Sequence, residues 1–454
     1  MACLNQSSLI ARGLSRSERS ALRRGWTGRG GVLAVLAWSM LVLVVGAEES
    51  LFPRRVPAPF MSYRGAPWLE RPEREKEERP EAVIERMGLR PGDVVADIGC
   101  GSGYFARRIG RAVGPEGKVY GVDIQPEMIE MLKRGVAEAG LGNVVPVLSR
   151  EDDPLLPKGE IDWMILADVF HEFSEPEAML ARMREALAPE GRVALVEYRV
   201  EDGTSDHIKP DHRMSVRQVL AEWKPAGFEL VALDEFLPHQ HLFILRAAAD
   251  GATPPLADHD LVSALDGRLI EVEGTQADGG AVELRLRRLT AHPVIVTSSV
   301  GTMFVAEEPA LNRVARRDGS ILLDDEEWRT WRILSIGVAI GSGAEGPVGF
   351  SIRPPQERPA LARLMWTLQW SGLPVEVERA AVWIAEADAS LADLRPFLAA
   401  GPVRNGHAVG LALAYLDRAG LNLRDRRIWA DLPAILEDVR EPELRAWLEG
   451  RQAR

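Results

Sequence analysis

The chain has 454 residues, of which 46% are hydrophobic, and it carries a formal net charge of −12. This length exceeds what one hydrophobic core organises, so we expect two or three globular domains. The acidic balance disfavours a nucleic-acid substrate, which calls for a basic surface. The two cysteines are Cys3 and Cys100, and this number excludes a site built from several cysteines for a metal or for arsenic.

Residues 1–47 have the pattern of a signal peptide or signal anchor. Six Arg and one Glu precede residue 31, an apolar run extends from Val32 to Val45, and small residues follow. We therefore expect an exported or membrane-anchored protein on the periplasmic side, with residues 32–47 as the candidate anchor. A cytoplasmic location is expected instead if the true start lies further downstream. Residues 1–47 carry six Arg and one Glu, a net charge of +5, so the chain without them would have a net charge of about −17.

Residues 94–106 carry the most informative pattern in the chain. An apolar run from Val94 to Ile98 predicts a short strand that contains Asp97, and glycines follow at positions 99, 101 and 103 before a predicted helix. Glycine lets the backbone turn with positive φ and approach a ligand closely. The spacing is D-x-G-x-G-x-G and therefore differs from the G-x-G-x-x-G of dinucleotide-binding proteins.

Strands and helices alternate after this loop. The predicted strands are 118–123, 143–148, 161–167 and 192–198, the predicted helices are 126–139, 176–187 and 215–226, and a closing strand pair is predicted at 228–236 and 240–246. This alternation predicts an α/β fold with a doubly wound, mostly parallel, seven-stranded sheet. Asp123 ends the second strand about twenty residues after the loop, where an acid can bond a ribose.

These motifs resemble motif I and the following acid of the class I S-adenosylmethionine (SAM) methyltransferases, broadly of the quinone-biosynthesis type. The resemblance covers about residues 60–248 and implies SAM as cofactor and a small-molecule acceptor. The resemblance implies that the methionine part of SAM lies near Asp97, Gly99, Cys100, Gly101 and Gly103. Asp123 holds the ribose, Ile124 packs on the adenine, Glu151 or Asp152 lies near its amino group, and Asp168 approaches the ammonium.

Five of the eight histidines fall between positions 171 and 241. The segments around them resemble those of a bacterial methyltransferase group, and we expect convergence of His171, Glu197, His212 and His241 on one pocket. We interpret His171 as the general base, oriented by Glu172 or Glu197. The alternative is that His171 and His241 are packing residues. A metal site built from these His and Glu residues is a further alternative, but no tight histidine spacing occurs, so no metal ligands are assigned.

An aromatic arm precedes the glycine loop. Residues 60–69 predict either a lid over the cofactor or a strap on the sheet edge, followed by a charged helix from about Arg71 to Met87. The charge run 70–78 is interpreted as a solvated helix face.

The chain changes character after the Pro-rich segment 250–255. We expect domains at 48–250 (methyltransferase), 260–356 (antiparallel β-sandwich with a hairpin at 294–304) and 357–454 (helices 360–371, 375–386, 390–399, 406–419 and 430–450). Trp366, Trp370 and Trp383 are predicted core residues. The second half is interpreted as an accessory module that binds a protein partner.

Two functions stay open at this point. The first is SAM-dependent methyl transfer to a small molecule. The second is a non-catalytic extracytoplasmic binding or scaffold protein that retains the fold, because SAM is made in the cytoplasm while the leader predicts export.

Overall fold

The computed structural model describes residues 55–248, 256–342, 346–398 and 405–452. The predicted leader, residues 1–47, lies outside these ranges. Within them, no helix has both the length and the apolar composition that a membrane span requires.

The first region contains a sheet in the order β3-β2-β1-β4-β5-β8-β7, with a short β6 paired to β5. Strands β1 to β5 run parallel, and β8 is antiparallel to both β5 and β7. The seven-stranded, doubly wound sheet is therefore confirmed, with β6 as an addition. The strands are β1 Val94–Ile98, β2 Lys118–Asp123, β3 Val144–Leu148, β4 Ile161–Ala167, β5 Leu187–Arg199, β6 Arg213–Met214, β7 Phe228–Asp234 and β8 Gln240–Ala247.

Helices cover both faces of this sheet, and each face has its own apolar core. One core contains Phe170 and Trp223, and the other contains Phe105 and Leu132. Parallel strands buried on both sides are typical of this architecture. The helices are α1 Ala66–Leu69, α2 Arg74–Glu77, α3 Pro80–Met87, α4 Tyr104–Val113, α5 Pro126–Glu138, α6 Pro176–Ala186 and α7 Val216–Trp223.

The prediction of one helix from Arg71 to Met87 was wrong. Arg79 adopts a left-handed conformation with φ of 47° and separates α2 from α3. Pro80 follows directly, and a proline disfavours helical geometry in the residue before it.

The second region has two further sheets that enclose one apolar core. A seven-stranded sheet has the order β17-β10-β11-β16-β14-β13-β18, and a three-stranded sheet has the order β15-β12-β9. Buried residues of both sheets pack together, among them Leu284, Val296 and Ile333. The strands are β9 Ala257–Asp260, β10 Ile270–Asp278, β11 Ala281–Arg288, β12 Val294–Ser298, β13 Met303–Ala306, β14 Arg313–Ala315, β15 Gly319–Leu323, β16 Arg329–Gly337, β17 Gly346–Pro347 and β18 Phe350–Arg353.

Two details of the predicted sandwich were wrong. β12 and β13 do not form a hairpin, because β12 pairs with β15 and β9 while β13 pairs with β14 and β18. The pairing of β12 with β9 is parallel. Gly301, with φ of 86°, turns the chain from one sheet to the other, and a Cβ there would lie 2.9 Å from Ala362 Cα.

Among the remaining helices, α8 was not predicted, since residues 260–356 were expected to be a β-sandwich. The others match the predicted helices, except that the predicted helix 430–450 is two helices. Pro442 begins the second one, where its missing N–H costs nothing. Trp366 and Trp383 are buried core residues, and the Trp370 ring packs edge-on against Trp366. The helices are α8 Leu261–Asp266, α9 Pro359–Gln369, α10 Val375–Ala387, α11 Leu391–Leu398, α12 Asn405–Arg418, α13 Leu432–Asp438 and α14 Pro442–Gln452.

The domain boundaries 48–250, 260–356 and 357–454 stay predictions. Buried contacts join the first two segments, since Ser215 Oγ at the start of α7 donates a hydrogen bond to Asp318 Oδ2 at 2.8 Å.

Candidate active site

A cavity of about 530 Å³ lies at the carboxyl ends of the parallel strands. Ligands of open α/β sheets bind at this edge. The lining comes from the arm, the glycine loop, the ends of β2, β4 and β5, and the connection after β5, including Met61, Gly99, Asp123, His171 and His212. One cavity therefore brings the predicted cofactor residues close to the histidines.

The arm forms one wall of this cavity. Phe60, Met61, Trp68 and Leu69 line it. The backbone of the arm and of the residues just before it is hydrogen-bonded to the segment after β4, because Ala58 N donates to His171 O at 3.0 Å and Met61 N donates to Glu172 Oε1 at 3.1 Å. The arm therefore has features of both the predicted lid and the predicted strap.

The glycine loop has left-handed backbone at Gly99, Gly101 and Gly103, with φ of 69°, 53° and 88°. A Cβ at Gly99 would lie 2.3 Å from Val169 Cγ2, so this position has no room for a side chain. Gly99, Cys100 and Gly101 line the cavity, whereas Gly103 lies outside the lining and precedes α4. Burial raises the pKa of the Cys100 thiol, which keeps it protonated.

Asp97 and Asp123 present carboxylates beside this loop. Asp123 accepts hydrogen bonds from Gly101 N at 2.9 Å and Gln125 N at 2.8 Å, and burial raises its pKa. Asp97 is 3% exposed, and its Oδ2 has no hydrogen-bond partner among the described residues. Burial raises the pKa of Asp97 to about 7. A buried carboxylate oxygen without a partner is costly, so Asp97 is poised to bind a polar group that enters the cavity.

Asp168 follows β4 and has a strained, left-handed backbone with φ of 54°. Gln240 Nε2 donates to its Oδ2 at 2.7 Å, while Oδ1 is buried with no partner among the described residues. Burial, with the nearby charges of Glu78 and Glu197, raises its pKa well above the usual range. This is a second buried oxygen available to a ligand.

Of the two acids that were predicted to lie near the adenine, one lines the cavity and the other does not. Ile124 and Glu151 line the cavity, and Ser174 Oγ donates to Glu151 Oε2 at 2.7 Å. Asp152 lies outside the lining and is exposed.

His171 lines the cavity and forms a buried pair with Glu197. The Nδ1 atom of His171 lies 2.6 Å from Glu197 Oε2, and the amides of Phe170 and His171 donate to Glu197 Oε1. Burial alone would lower the pKa of His171, but Glu197 raises it. Glu197 is therefore the orienting partner. Glu172 lines the cavity, and burial raises its pKa to about 7.

The predicted convergence of His241 on this pocket was wrong. Its Nδ1 lies 2.8 Å from Glu235 Oε1 and its Nε2 lies 2.9 Å from Glu201 Oε2. Both ring nitrogens are engaged, and His241 lies outside the cavity lining. The alternative of a packing role fits this residue.

Sequence reasoning missed a buried ion pair beside the cavity. Arg74 and Glu78 were interpreted as part of a solvated face, but they are only 5% and 2% exposed. Arg74 Nε donates to Glu78 Oε2 at 2.5 Å, and Arg74 lines the cavity together with Tyr198. The i, i+4 spacing of Arg74 and Glu78 was the available signal.

Comparisons with known proteins agree with this geometry. Residues 89–235 match the family model of a methyltransferase domain. A nocamycin O-methyltransferase of Saccharothrix syringae is 34% identical over 113 residues, which cover 25% of this chain and 40% of that protein. An aklanonic acid methyltransferase of Streptomyces sp. (strain C5) is 31% identical over 144 residues, which cover 31% of this chain and 64% of that protein.

A solved structure of a SAM-dependent methyltransferase from Aquifex aeolicus is 28% identical, with a TM-score of 0.39, and covers 41% of this chain and 98% of its own. The chain spans between 37% and 64% of the length of the first curated relatives that it matches. Residues 89–235 thus form a class I SAM-dependent methyltransferase domain.

The enzyme class of this domain is methyltransferase, and SAM is the cofactor expected of it. The residues present fit that cofactor, because the glycine cradle lines the same cavity as Asp97 and Asp168, and each of these acids has one buried oxygen with no hydrogen-bond partner among the described residues.

Proposed function

We propose that the protein transfers a methyl group from SAM to a small-molecule acceptor. The observation that carries this proposal is the single cavity of about 530 Å³, which joins the glycine loop and its acids to the His171–Glu197 pair. Asp97, Asp123 and Asp168 would hold the cofactor, and the histidine end would hold the acceptor. The sulfonium of the bound cofactor supplies the electrophilic methyl group.

The role of the protein in this reaction is to position two reactants in one enclosed space. Holding both in line replaces a bimolecular encounter by an oriented one. The arm residues Phe60, Met61 and Trp68 line the cavity and would cover a bound cofactor, and the hydrogen bond from Met61 N to Glu172 connects the arm to the acceptor end.

His171 has the geometry of a general base. Glu197 fixes its Nδ1, which leaves Nε2 as the nitrogen available in the cavity. An acceptor hydroxyl or amine bound there would give its proton to Nε2 as the methyl group is transferred.

The size of the acceptor is tested with methyl-tritiated SAM, the full-length protein and an extract of the source cells. The expected result is that label accumulates in the fraction that passes an ultrafiltration membrane, and that protein with Asp123→Ala transfers little label. Label retained with protein or nucleic acid, or an equal yield from the variant, would contradict the proposal.

A further inference from the structure

Two histidines and one glutamate meet at the acceptor end of the cavity. One ligand atom from each of His171, Glu172 and His212 lies within 4.8 Å of those of the other two. The two imidazole rings have centroids 5.1 Å apart. Two imidazoles with one carboxylate suit divalent first-row transition metals, whereas Mg²⁺ and Ca²⁺ prefer oxygen ligands.

Each imidazole is held through Nδ1 by a carboxylate of its own. Glu197 Oε2 lies 2.6 Å from Nδ1 of His171, and Asp211 Oδ1 lies 2.7 Å from Nδ1 of His212. A metal-binding histidine typically donates its other ring N–H to a carboxylate in this way. The Nε2 atoms remain for a ligand, since no hydrogen bond among the described residues engages them.

Glu172 contributes an oxygen to the same space. Its Oε1 accepts from Met61 N at 3.1 Å, which orients the carboxylate and leaves Oε2 for another partner. A general base alone needs one imidazole. The second imidazole, with its own carboxylate, is not explained by proton transfer but is explained by metal binding.

We propose that His171, Glu172 and His212 bind one divalent first-row transition metal ion, which holds the methyl acceptor through oxygen. This proposal rests on the proposed function and names the acceptor as a metal-binding hydroxyl compound. Atoms bound about 2 Å from one ion lie about 3–4 Å apart, so side-chain rotation must bring the ligand atoms slightly closer. Three protein ligands leave open coordination positions for the acceptor.

The ion would take over the activation of the acceptor from His171. A hydroxyl bound to a divalent metal loses its proton more readily, here to solvent. Its oxygen then forms a bond to the methyl carbon while the carbon–sulfur bond breaks, and that electron pair stays on sulfur. The products are a methylated acceptor and the neutral thioether of the cofactor.

The test is titration of Co²⁺ into full-length, tag-free, metal-stripped protein, followed by equilibrium dialysis and visible absorption. The expected result is one Co²⁺ per chain with ligand-field bands. His212→Gln should weaken Co²⁺ binding at least tenfold, and Asp211→Asn, at a half-exposed position, about tenfold. His292→Gln, at an exposed position outside the cavity, is the matched control and should change nothing.

Absence of stoichiometric Co²⁺ binding would overturn the metal site, as would equal affinity in the His212→Gln and His292→Gln variants. SAM calorimetry on the same preparations separates the two proposals. SAM binding without Co²⁺ binding removes only the metal and leaves His171 as the base. Failure to bind SAM removes the proposed function, whatever the Co²⁺ result.

Discussion

The buried carboxylates of the cavity differ from two buried carboxylates of the second region, Glu378 and Asp318, in whether their oxygens have partners. In the cavity, Asp97 and Asp168 each have a buried oxygen without a partner among the described residues. In the second region, Glu378 is fully buried and bonds Arg316 at 2.8 Å and Arg317 at 3.1 Å. Asp318 is equally buried, and it accepts hydrogen bonds from Ser215, Arg217 and Val300.

This difference separates a binding site from a structural network. A buried charge with its partners complete stabilises one arrangement of the chain, and loss of one partner is strongly destabilising. A buried carboxylate left incomplete lowers stability until a ligand arrives, and such groups cluster at functional sites. A buried carboxylate therefore lowers the stability of the ligand-free protein in the cavity but stabilises the fold in the second region.

The largest expected effect is on Glu378. Glu378→Gln removes the ion-pair partner of the buried Arg317 and the partly buried Arg316, so we expect a loss of about 3–5 kcal/mol in the free energy of unfolding. Urea unfolding followed by tryptophan fluorescence measures it, and SAM affinity of the folded protein should not change. The control is Glu449→Gln, since its exposed pair with Arg445 should contribute less than about 0.5 kcal/mol. Equal losses in the free energy of unfolding for Glu378→Gln and Glu449→Gln would contradict the structural role of Glu378.

At Asp97 we expect the opposite effect, because removal of its charge should stabilise the cofactor-free protein. Its folded pKa of about 7 exceeds the ordinary value of 3.8, so the native state binds more protons than the unfolded state between these values. The carboxylate therefore costs stability increasingly as pH rises to 7. Asp97→Asn should stabilise the cofactor-free protein more at pH 8 than at pH 5, as unfolding measurements at both pH values would show. Identical shifts at both would contradict the assignment, and SAM affinity should fall in either case.

A pH-dependent effect of the opposite sign is expected of His241, which lies outside the cavity and has both ring nitrogens engaged. Burial alone would lower its pKa, but Glu235 and Glu201 raise it to about 10. Its charged form stabilises the fold below the unfolded pKa of about 6.5, and this contribution is lost as pH rises towards 10. Unfolding free energies measured from pH 6.5 to 10 should fall less steeply for His241→Gln than for the unaltered chain. The same pH dependence of the unfolding free energy in both proteins would show that protonation of His241 does not stabilise the fold.

The sequence predicted those features that depend on short stretches of chain. The glycine spacing, the strand-end acids and the alternation of elements predicted the doubly wound, mostly parallel sheet and placed Asp97, Asp123 and His171 at or just after the ends of its strands. Features that need distant residues were missed. The hairpin at 294–304 failed because strand pairing in the second region is set by packing between two sheets rather than by the local turn.

The side-chain set at the acceptor end shows the same limit. His171 and His212 are 41 positions apart, and they meet only because β5 and the connection after it return to the end of β4. No local spacing could reveal that meeting. His241 shares the strand-end context of the others, yet its ring is occupied by Glu201 and Glu235, which only the fold brings together.

The central claim is that SAM binds at the carboxyl edge of the first sheet, and calorimetry of two matched variants tests it most directly. Asp123→Ala removes a carboxylate that lines the cavity, while Asp152→Ala removes one outside it. We predict that the unaltered protein binds SAM, that Asp123→Ala weakens binding at least tenfold, as loss of a charged hydrogen bond of about 1.5–3 kcal/mol implies, and that Asp152→Ala has no effect. No binding at millimolar SAM, or equal affinity in both variants, would contradict the account.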